Sequence, residues 1–192
     1  MKAGIAQWIG SRAKQEDVYR VKFYPAGLLV LVADGGQGAS CGELRSAGLI
    51  NSFEATFSEL ADYPLVTEKL RQAFTSTAEV ADSLSLLAVF ISNGTISWIC
   101  SGESPLLLWR RGELLHLNVR HAQGAYSLMP GDCILVASDG LLSLLTSGKV
   151  SDVLLTIPVE LGGSPAVSLV QACREFAEEN ADNVTVVSVS LP

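Results

Sequence analysis

The chain has 192 residues, of which 48% are hydrophobic and 17% charged, and this composition excludes an intrinsically disordered protein. The formal net charge is −7 and no run of Lys or Arg offsets it, so a nucleic acid is not an expected partner. The length suits a single domain over residues 1–192 with a sizeable hydrophobic core.

The sequence carries no obvious signal for export or for membrane insertion. Residues 1–10 lack the apolar core of a secretion signal, and no window of about 18 apolar residues predicts a membrane-spanning helix. The four cysteines are widely spaced, which is typical of reduced core cysteines. We therefore expect a cytoplasmic protein with no membrane partner.

Three strands followed by two helices are predicted for the first part of the chain. Apolar residues indicate strands over 3–9, 18–24 and 28–32, and the last of these is the continuous apolar run of a buried strand. Apolar residues at helical spacing then predict a helix over 42–60 and a second helix after Pro64.

The rest of the chain is predicted to contain mainly hairpins. Asn93-Gly94 between two apolar runs is a strong hairpin signal, and Arg110-Arg111-Gly112 indicates a second hairpin. The predicted strands cover 84–91, 95–100, 106–109, 113–117, 133–137 and 184–191, and the predicted helices cover 141–145 and 165–179. Because the helices come in blocks, we predict an α+β fold with two antiparallel β-sheets in a sandwich flanked by helices (αββα).

Four short acidic segments each lie at the end of a predicted strand or in a turn beside one: Glu16-Asp17, Asp34-Gly35, Asp139-Gly140 and Asp182-Asn183. Carboxylates gathered at one sheet edge repel one another unless cations neutralise them, and Mg²⁺ or Mn²⁺ suits such oxygen ligands. Two such ions can acidify a shared water for attack on phosphorus, with Arg12 holding the phosphate oxygens. Each dipeptide is also an ordinary turn sequence, so a metal site and plain turns both remain open here.

Several segments together resemble the protein phosphatase 2C (PPM) family. They are Arg12-x-x-x-Glu16-Asp17, Ala33-Asp34-Gly35-Gly36-Gln37-Gly38 with Gly42-Glu43, Gly102-Glu103-Ser104, Pro130-Gly131-Asp132, Ser138-Asp139-Gly140-Leu141 and Asp182-Asn183-Val184-Thr185-Val186. Their order and spacing agree over nearly the whole chain. The resemblance implies a two-sheet sandwich and a metal-dependent hydrolase, a serine/threonine protein phosphatase that acts on phosphoserine and phosphothreonine in a regulatory protein.

The resemblance also implies a ligand set for two Mg²⁺ or Mn²⁺ ions. By position, Asp34 would bridge the ions and Gly35 would offer its carbonyl oxygen. Glu16 would complete one ion, and Asp139 with Asp182 would complete the other.

Two further residues receive catalytic roles from the same resemblance. Asp17 would orient the water that bridges the two ions, and Arg12 would bind the phosphate. That water would attack the phosphorus directly, so no covalent intermediate is expected. The implied partners are a phosphorylated protein substrate and an opposing Ser/Thr kinase, which places the protein in signalling.

The chain departs from the family pattern between Ser104 and Ser138, where a helical flap is usual and only a hairpin and a short loop fit. Within this stretch Arg120 stands at the place of an acidic ligand for a third metal, so that site in its usual form is not expected. These departures indicate a compact, flapless bacterial-type member. They leave open a pseudophosphatase that binds a phosphoprotein partner without turnover, and a hydrolase of small phosphoesters.

Overall fold

The computed structural model describes residues 1–35, 41–59, 65–77, 84–157, 163–177 and 179–192. The strands are β1 (Lys2–Trp8), β2 (Val18–Tyr24), β3 (Gly27–Asp34), β4 (Ser85–Ser92), β5 (Thr95–Ser101), β6 (Leu106–Arg110), β7 (Glu113–His116), β8 (Gln123–Ser127), β9 (Cys133–Ala137) and β10 (Val184–Ser190). The helices are α1 (Gly42–Glu59), α2 (Val66–Thr77), α3 (Gly140–Leu144), α4 (Ser147–Thr156) and α5 (Pro165–Phe176).

These elements form two compact units, each built on one antiparallel five-stranded sheet. The first unit comprises Met1–Gln15, Pro105–Leu117 and Met129–Pro192, and its sheet has the order β1-β10-β9-β6-β7. The second unit comprises Glu16–Ser104 and Asn118–Leu128, and its sheet has the order β2-β3-β4-β5-β8. The predicted α+β class with two antiparallel sheets and helices is therefore confirmed.

Helices cover a face of the sheet within each unit. In the first unit α5 packs on β1 and β10, and Leu169 and Cys173 of the helix join a core with Val186 of β10. In the second unit α1 and α2 pack on the sheet, where Phe53 and Leu70 share a core with strand residues of β3 and β4. The β-branched residues of β10 explain why it forms a strand rather than a helix. For β3, the short apolar run between Gly27 and Gly35 favours a strand.

Most of the predicted elements are present with ends that differ by at most three residues. Asn93 and Gly94 both have positive φ, 49° and 69°, which confirms the tight hairpin turn. The last predicted helix ends at Phe176 rather than at 179. Leu60, Pro64 and Ala78, which belong to the two earlier helix predictions, lie outside the described residues.

The prediction of a short loop after the second hairpin was wrong, because β8 occupies Gln123–Ser127 and pairs with β5. Helix α4 was also not predicted, although Thr146 caps its first turn by accepting a hydrogen bond from the Lys149 amide. Along the described residues, no helix combines the length and the apolar character that crossing a membrane requires.

The cysteines are all free, and three of them are buried. Burial raises the pKa of Cys133 and of Cys173 to about 11, so both remain protonated thiols at neutral pH. Cys41 is exposed, contrary to the expectation that all four lie in the core.

Candidate metal and phosphate site

The second sheet gathers four of the predicted site residues at one end of β2 and β3. The register of this antiparallel pair, continued for one or two residues, sets Asp17 level with Asp34 and Glu16 level with Gly35. Asp17 is only 3% exposed, whereas Asp34 and Glu16 are half-buried. Carboxylate oxygens and a backbone carbonyl therefore lie side by side on two adjacent strands.

Two glycines allow the backbone to pass close to this group. A Cβ atom on Gly35 would lie 2.7 Å from the backbone of Gly42, and a Cβ atom on Gly42 would lie 2.7 Å from the carboxyl carbon of Glu16. At Gly35 only a residue without a side chain fits beside the Gly42 backbone, whereas a methyl group at Gly42 would have to displace the Glu16 carboxylate. Gly42 is also the first residue of α1, so the Glu16 carboxylate lies at a helix N-terminus, where the helix dipole stabilises negative charge.

The first sheet carries the other two predicted carboxylates at one end of its strands. Asp139 follows the end of β9 and Asp182 precedes the start of β10, and these strands are antiparallel neighbours. The Ser138 amide donates to the Thr185 carbonyl, and the Ser138 hydroxyl accepts from the Thr185 amide, each at 3.0 Å. These two bonds fix the chain immediately beside both carboxylates, so Ser138 has a structural role.

Asn183 ties this edge to the loop that carries Arg12. Its side chain is buried, and its Nδ2 donates to the Ile9 carbonyl at 2.7 Å and to the Lys14 carbonyl at 3.1 Å. As the second residue of the turn dipeptide Asp182-Asn183, Asn183 is not predicted from the sequence to have this function. The available signal was the position of Asn183 directly after Asp182. The side-chain amide of a buried asparagine can donate hydrogen bonds to backbone carbonyls that have no partner within a turn.

Arg12 and Asp182 form an ion pair in which Nη2 and Oδ2 are 2.9 Å apart. The other oxygen of Asp182 accepts a hydrogen bond from the Asn183 amide at 2.8 Å. Beside this pair lies an open cavity of about 350 Å³, lined by Ser11, Arg12, Ala13, Asn180 and Ala181. A phosphoryl group that entered this cavity would meet the arginine fork directly.

The predicted site residues therefore separate into two sets, one on each sheet: Glu16, Asp17, Asp34 and Gly35 on the second, and Arg12, Asp139 and Asp182 on the first. Within the described residues, no group of three or more His, Cys, Asp or Glu side chains has the spacing of a complete metal site. The donors that each sheet presents are carboxylate and carbonyl oxygens, which fit a hard divalent cation such as Mg²⁺ or Mn²⁺ rather than a softer metal.

No family model and no curated protein matches the sequence. Among solved structures, a serine/threonine phosphatase from S. agalactiae superposes with a TM-score of 0.82 at 19% identity, over 100% of this chain and 99% of that chain. The catalytic domain of the serine/threonine phosphatase PstP, in complex with two manganese ions, gives 0.75 at 21% identity, over 97% and 96%.

A third structure contains the PP2C phosphatase domain and part of the regulatory domain of the cell fate determinant SpoIIE from Bacillus subtilis. It gives a TM-score of 0.79 at 14% identity, over 98% of this chain and 62% of that chain. Similarity of this extent at such low identity establishes the fold. The chain has the fold of the PP2C (PPM) serine/threonine phosphatases.

Proposed function

We propose that this chain, over residues 1–192, is a metal-dependent serine/threonine protein phosphatase. The observation that carries the proposal is the grouping of acids at one edge of each sheet, in a chain with the fold of this class of phosphatases. The close approach of the backbone at Gly35 and Gly42 supports the same interpretation, because it brings the first turn of α1 next to the Glu16 carboxylate.

Two ions would be held by Asp34, which both would share, and by the Gly35 carbonyl, Glu16, Asp139 and Asp182. When bound, a pair of Mg²⁺ or Mn²⁺ ions supplies the positive charge that acidifies a water molecule and offsets the charge of the phosphoryl group. The two manganese ions in the PstP complex support this choice of metal.

The remaining chemistry belongs to Arg12 and Asp17. The Arg12 guanidinium carries five N–H donors, so it can keep its bond to Asp182 and still offer donors to the phosphoryl oxygens. Asp17 is a buried carboxylate next to Glu16 and can align the attacking water by accepting a hydrogen bond from it. Water attacks the phosphorus in line with the Ser or Thr oxygen, which leaves with a proton, and no phosphoenzyme forms.

The proposed substrate is a phosphorylated regulatory protein whose Ser/Thr kinase this enzyme opposes. The likeness to the phosphatase domain of SpoIIE, a cell fate determinant, supports a regulatory role. The net charge of −7 adds a further constraint, because a highly acidic phosphoprotein would be repelled except where cations or arginines receive it.

The direct test is hydrolysis of an aryl phosphate and of a phosphothreonine peptide, measured with Mn²⁺ and with EDTA. We expect turnover that requires Mn²⁺ and falls more than about 100-fold in Asp34→Ala, since even outer partners of metal ligands contribute 10–100-fold. Asp152→Ala is the matched control, because Asp152 is an exposed aspartate on α4. Folding of each variant is checked by circular dichroism.

The same assay separates the alternatives. A folded protein that binds Mn²⁺ and a phosphopeptide without turnover would overturn the enzyme assignment and identify a pseudophosphatase. Faster hydrolysis of nucleotides or sugar phosphates than of phosphopeptides would identify a small-molecule phosphatase instead.

A further inference from the structure

Arg120 lies on the same end of the second sheet as Asp34, although the two residues are far apart in the sequence. Asp34 is opposite Ser85 in the β3–β4 pair, and the hydroxyl oxygens of Ser85 and Ser104 are 2.8 Å apart. The Asn118 side chain, two residues before Arg120, donates to the Ser104 carbonyl at 2.9 Å. A continuous series of contacts within this unit thus leads from the proposed metal ligand to Arg120.

The backbone on the other side of Arg120 is also fixed. The Trp98 indole donates to the His121 carbonyl at 3.2 Å, and the Cys100 amide donates to the Ala122 carbonyl at 2.7 Å. The Arg120 side chain itself is exposed, and none of the ion pairs formed among the described residues includes it. A cation presented by a fixed backbone loses less conformational entropy when it binds a ligand than one on a flexible loop.

We propose that Arg120 binds a second anion on the phosphoprotein substrate, and so selects substrates with negative charge near the phosphorylated residue. This inference rests on the proposed function. The anion is a carboxylate side chain or a further phosphoryl group, because a guanidinium forms two parallel hydrogen bonds with either. In a chain with a net charge of −7, an exposed arginine at this end of the sheet attracts such a substrate.

The position of the second anion follows from the strand order. Asp34 ends β3, and Arg120 precedes β8, which is three strands away in the order β3-β4-β5-β8. Three strand spacings correspond to about 14 Å, and an extended peptide covers this distance with about four residues. The selected anion therefore lies about four residues from the phosphorylated Ser or Thr.

The test compares kcat/KM for phosphothreonine peptides with Glu, a non-hydrolysable phosphonate or Ala at about four residues on either side. We expect the wild type to prefer the Glu peptide over the Ala peptide by about twofold to fivefold on at least one side, and less at high salt. The phosphonate arm shows whether a phosphoryl-like group is preferred to a carboxylate.

The variants locate the preference. Arg120→Ala is expected to bring the ratio of Glu to Ala peptide close to one, Arg120→Lys to keep part of it, and Arg174→Ala, an exposed arginine on α5, to keep all of it. Glu103→Gln removes an exposed carboxylate next to the Ser104 anchor and is expected to increase the ratio.

The possible results distinguish failure of the proposed role of Arg120 from failure of the proposed phosphatase function. A wild type without preference, or an equal preference in Arg120→Ala, would overturn the role of Arg120 while the phosphatase stands. Absence of Mn²⁺-dependent turnover on every peptide would instead overturn the proposed function.

Discussion

The two ends of β9 each carry an aspartate in a turn, and the two residues have different surroundings. Asp132, before the strand, is 1% exposed. Arg110 donates a hydrogen bond to each of its oxygens, with Nε–Oδ1 and Nη2–Oδ2 distances of 2.8 and 2.6 Å. The Met129 amide donates to the same carboxylate at 2.7 Å. Asp139, after the strand, is half-buried and lies on the edge that also carries Asp182. Asp132 therefore serves the fold, whereas Asp139, beside a second acid at the same end of the sheet, is placed to serve a ligand.

The largest expected effect is that of Asp139→Asn on activity. Loss of a proposed metal ligand should lower Mn²⁺-dependent turnover more than about 100-fold. The free energy of unfolding should change by less than about 1 kcal/mol, because the residue is only half-buried. Steady-state kinetics and urea unfolding on the same samples check both numbers, with Asp152→Asn on α4 as the control. A loss of stability in Asp139→Asn as severe as its loss of activity would show that Asp139, like Asp132, serves the fold.

Asp132→Asn should produce the opposite result. Removing the charge from a hydrogen-bonded pair that includes Arg110 should reduce the free energy of unfolding by about 2–3 kcal/mol. Mn²⁺ affinity and kcat at a temperature where the variant is folded should remain those of the wild type. A large fall in Mn²⁺ affinity without a loss of stability would show that Asp132, and not only Asp139, serves the metal.

The pH dependence of stability sharpens the same contrast. Hydrogen bonding to Arg110 lowers the pKa of Asp132 below its ordinary value, although burial opposes this shift. The stability that this aspartate contributes is therefore complete above its unfolded pKa of about 3.9 and is lost as the pH falls through the lower folded pKa. The stability difference between wild type and Asp132→Asn should be constant from pH 7 to about pH 5 and should shrink below about pH 4. A difference that shrinks above pH 5 would contradict the ion pair as its source.

The smallest expected effects concern two glycines of α1. Gly42→Ala should push the new methyl group against the Glu16 carboxylate and reduce Mn²⁺-dependent activity by about tenfold, comparable with loss of an outer partner of a metal site. Gly48→Ala is the matched control, because a Cβ there meets no atom within 4 Å and the residue is exposed in the helix interior. It should stabilise the fold by about 0.5–1 kcal/mol with unchanged activity. Thermal unfolding and kinetics of the two variants decide whether the close approach at Gly42 matters.

The sequence allowed most of the fold to be predicted because hydrophobic periodicity and turn residues agree with the tertiary structure. β10, rich in valine, and the Asn93-Gly94 hairpin are examples. β8 escaped prediction because Gln-Gly-Ala-Tyr-Ser has little strand preference of its own and takes the strand conformation by pairing with β5. Helix α4 could have been found from its cap, Thr146, and from Val150 and Leu154, which lie on one buried face.

For the candidate site, the sequence located the acids at strand ends but not their surroundings. Asp132 and Asp139 look alike as turn residues, and only the structure separates the one paired with Arg110 from the one that lies beside Asp182 at the other end of the strands. The hydrogen bonds of the Asn183 side chain and those that hold the backbone beside Arg120 cannot be predicted from local sequence pattern, because their partners are distant in the sequence.

The most direct test of the central claim is the binding of Mn²⁺ to the purified wild type and to Asp34→Ala, measured by isothermal titration calorimetry. We expect the wild type to bind two ions and Asp34→Ala to lose both, because Asp34 is the ligand that both would share; the PstP complex likewise contains two manganese ions. Asp152→Ala should bind as the wild type does. Unchanged Mn²⁺ binding in Asp34→Ala, or no binding by the folded wild type, would contradict the proposed two-metal site.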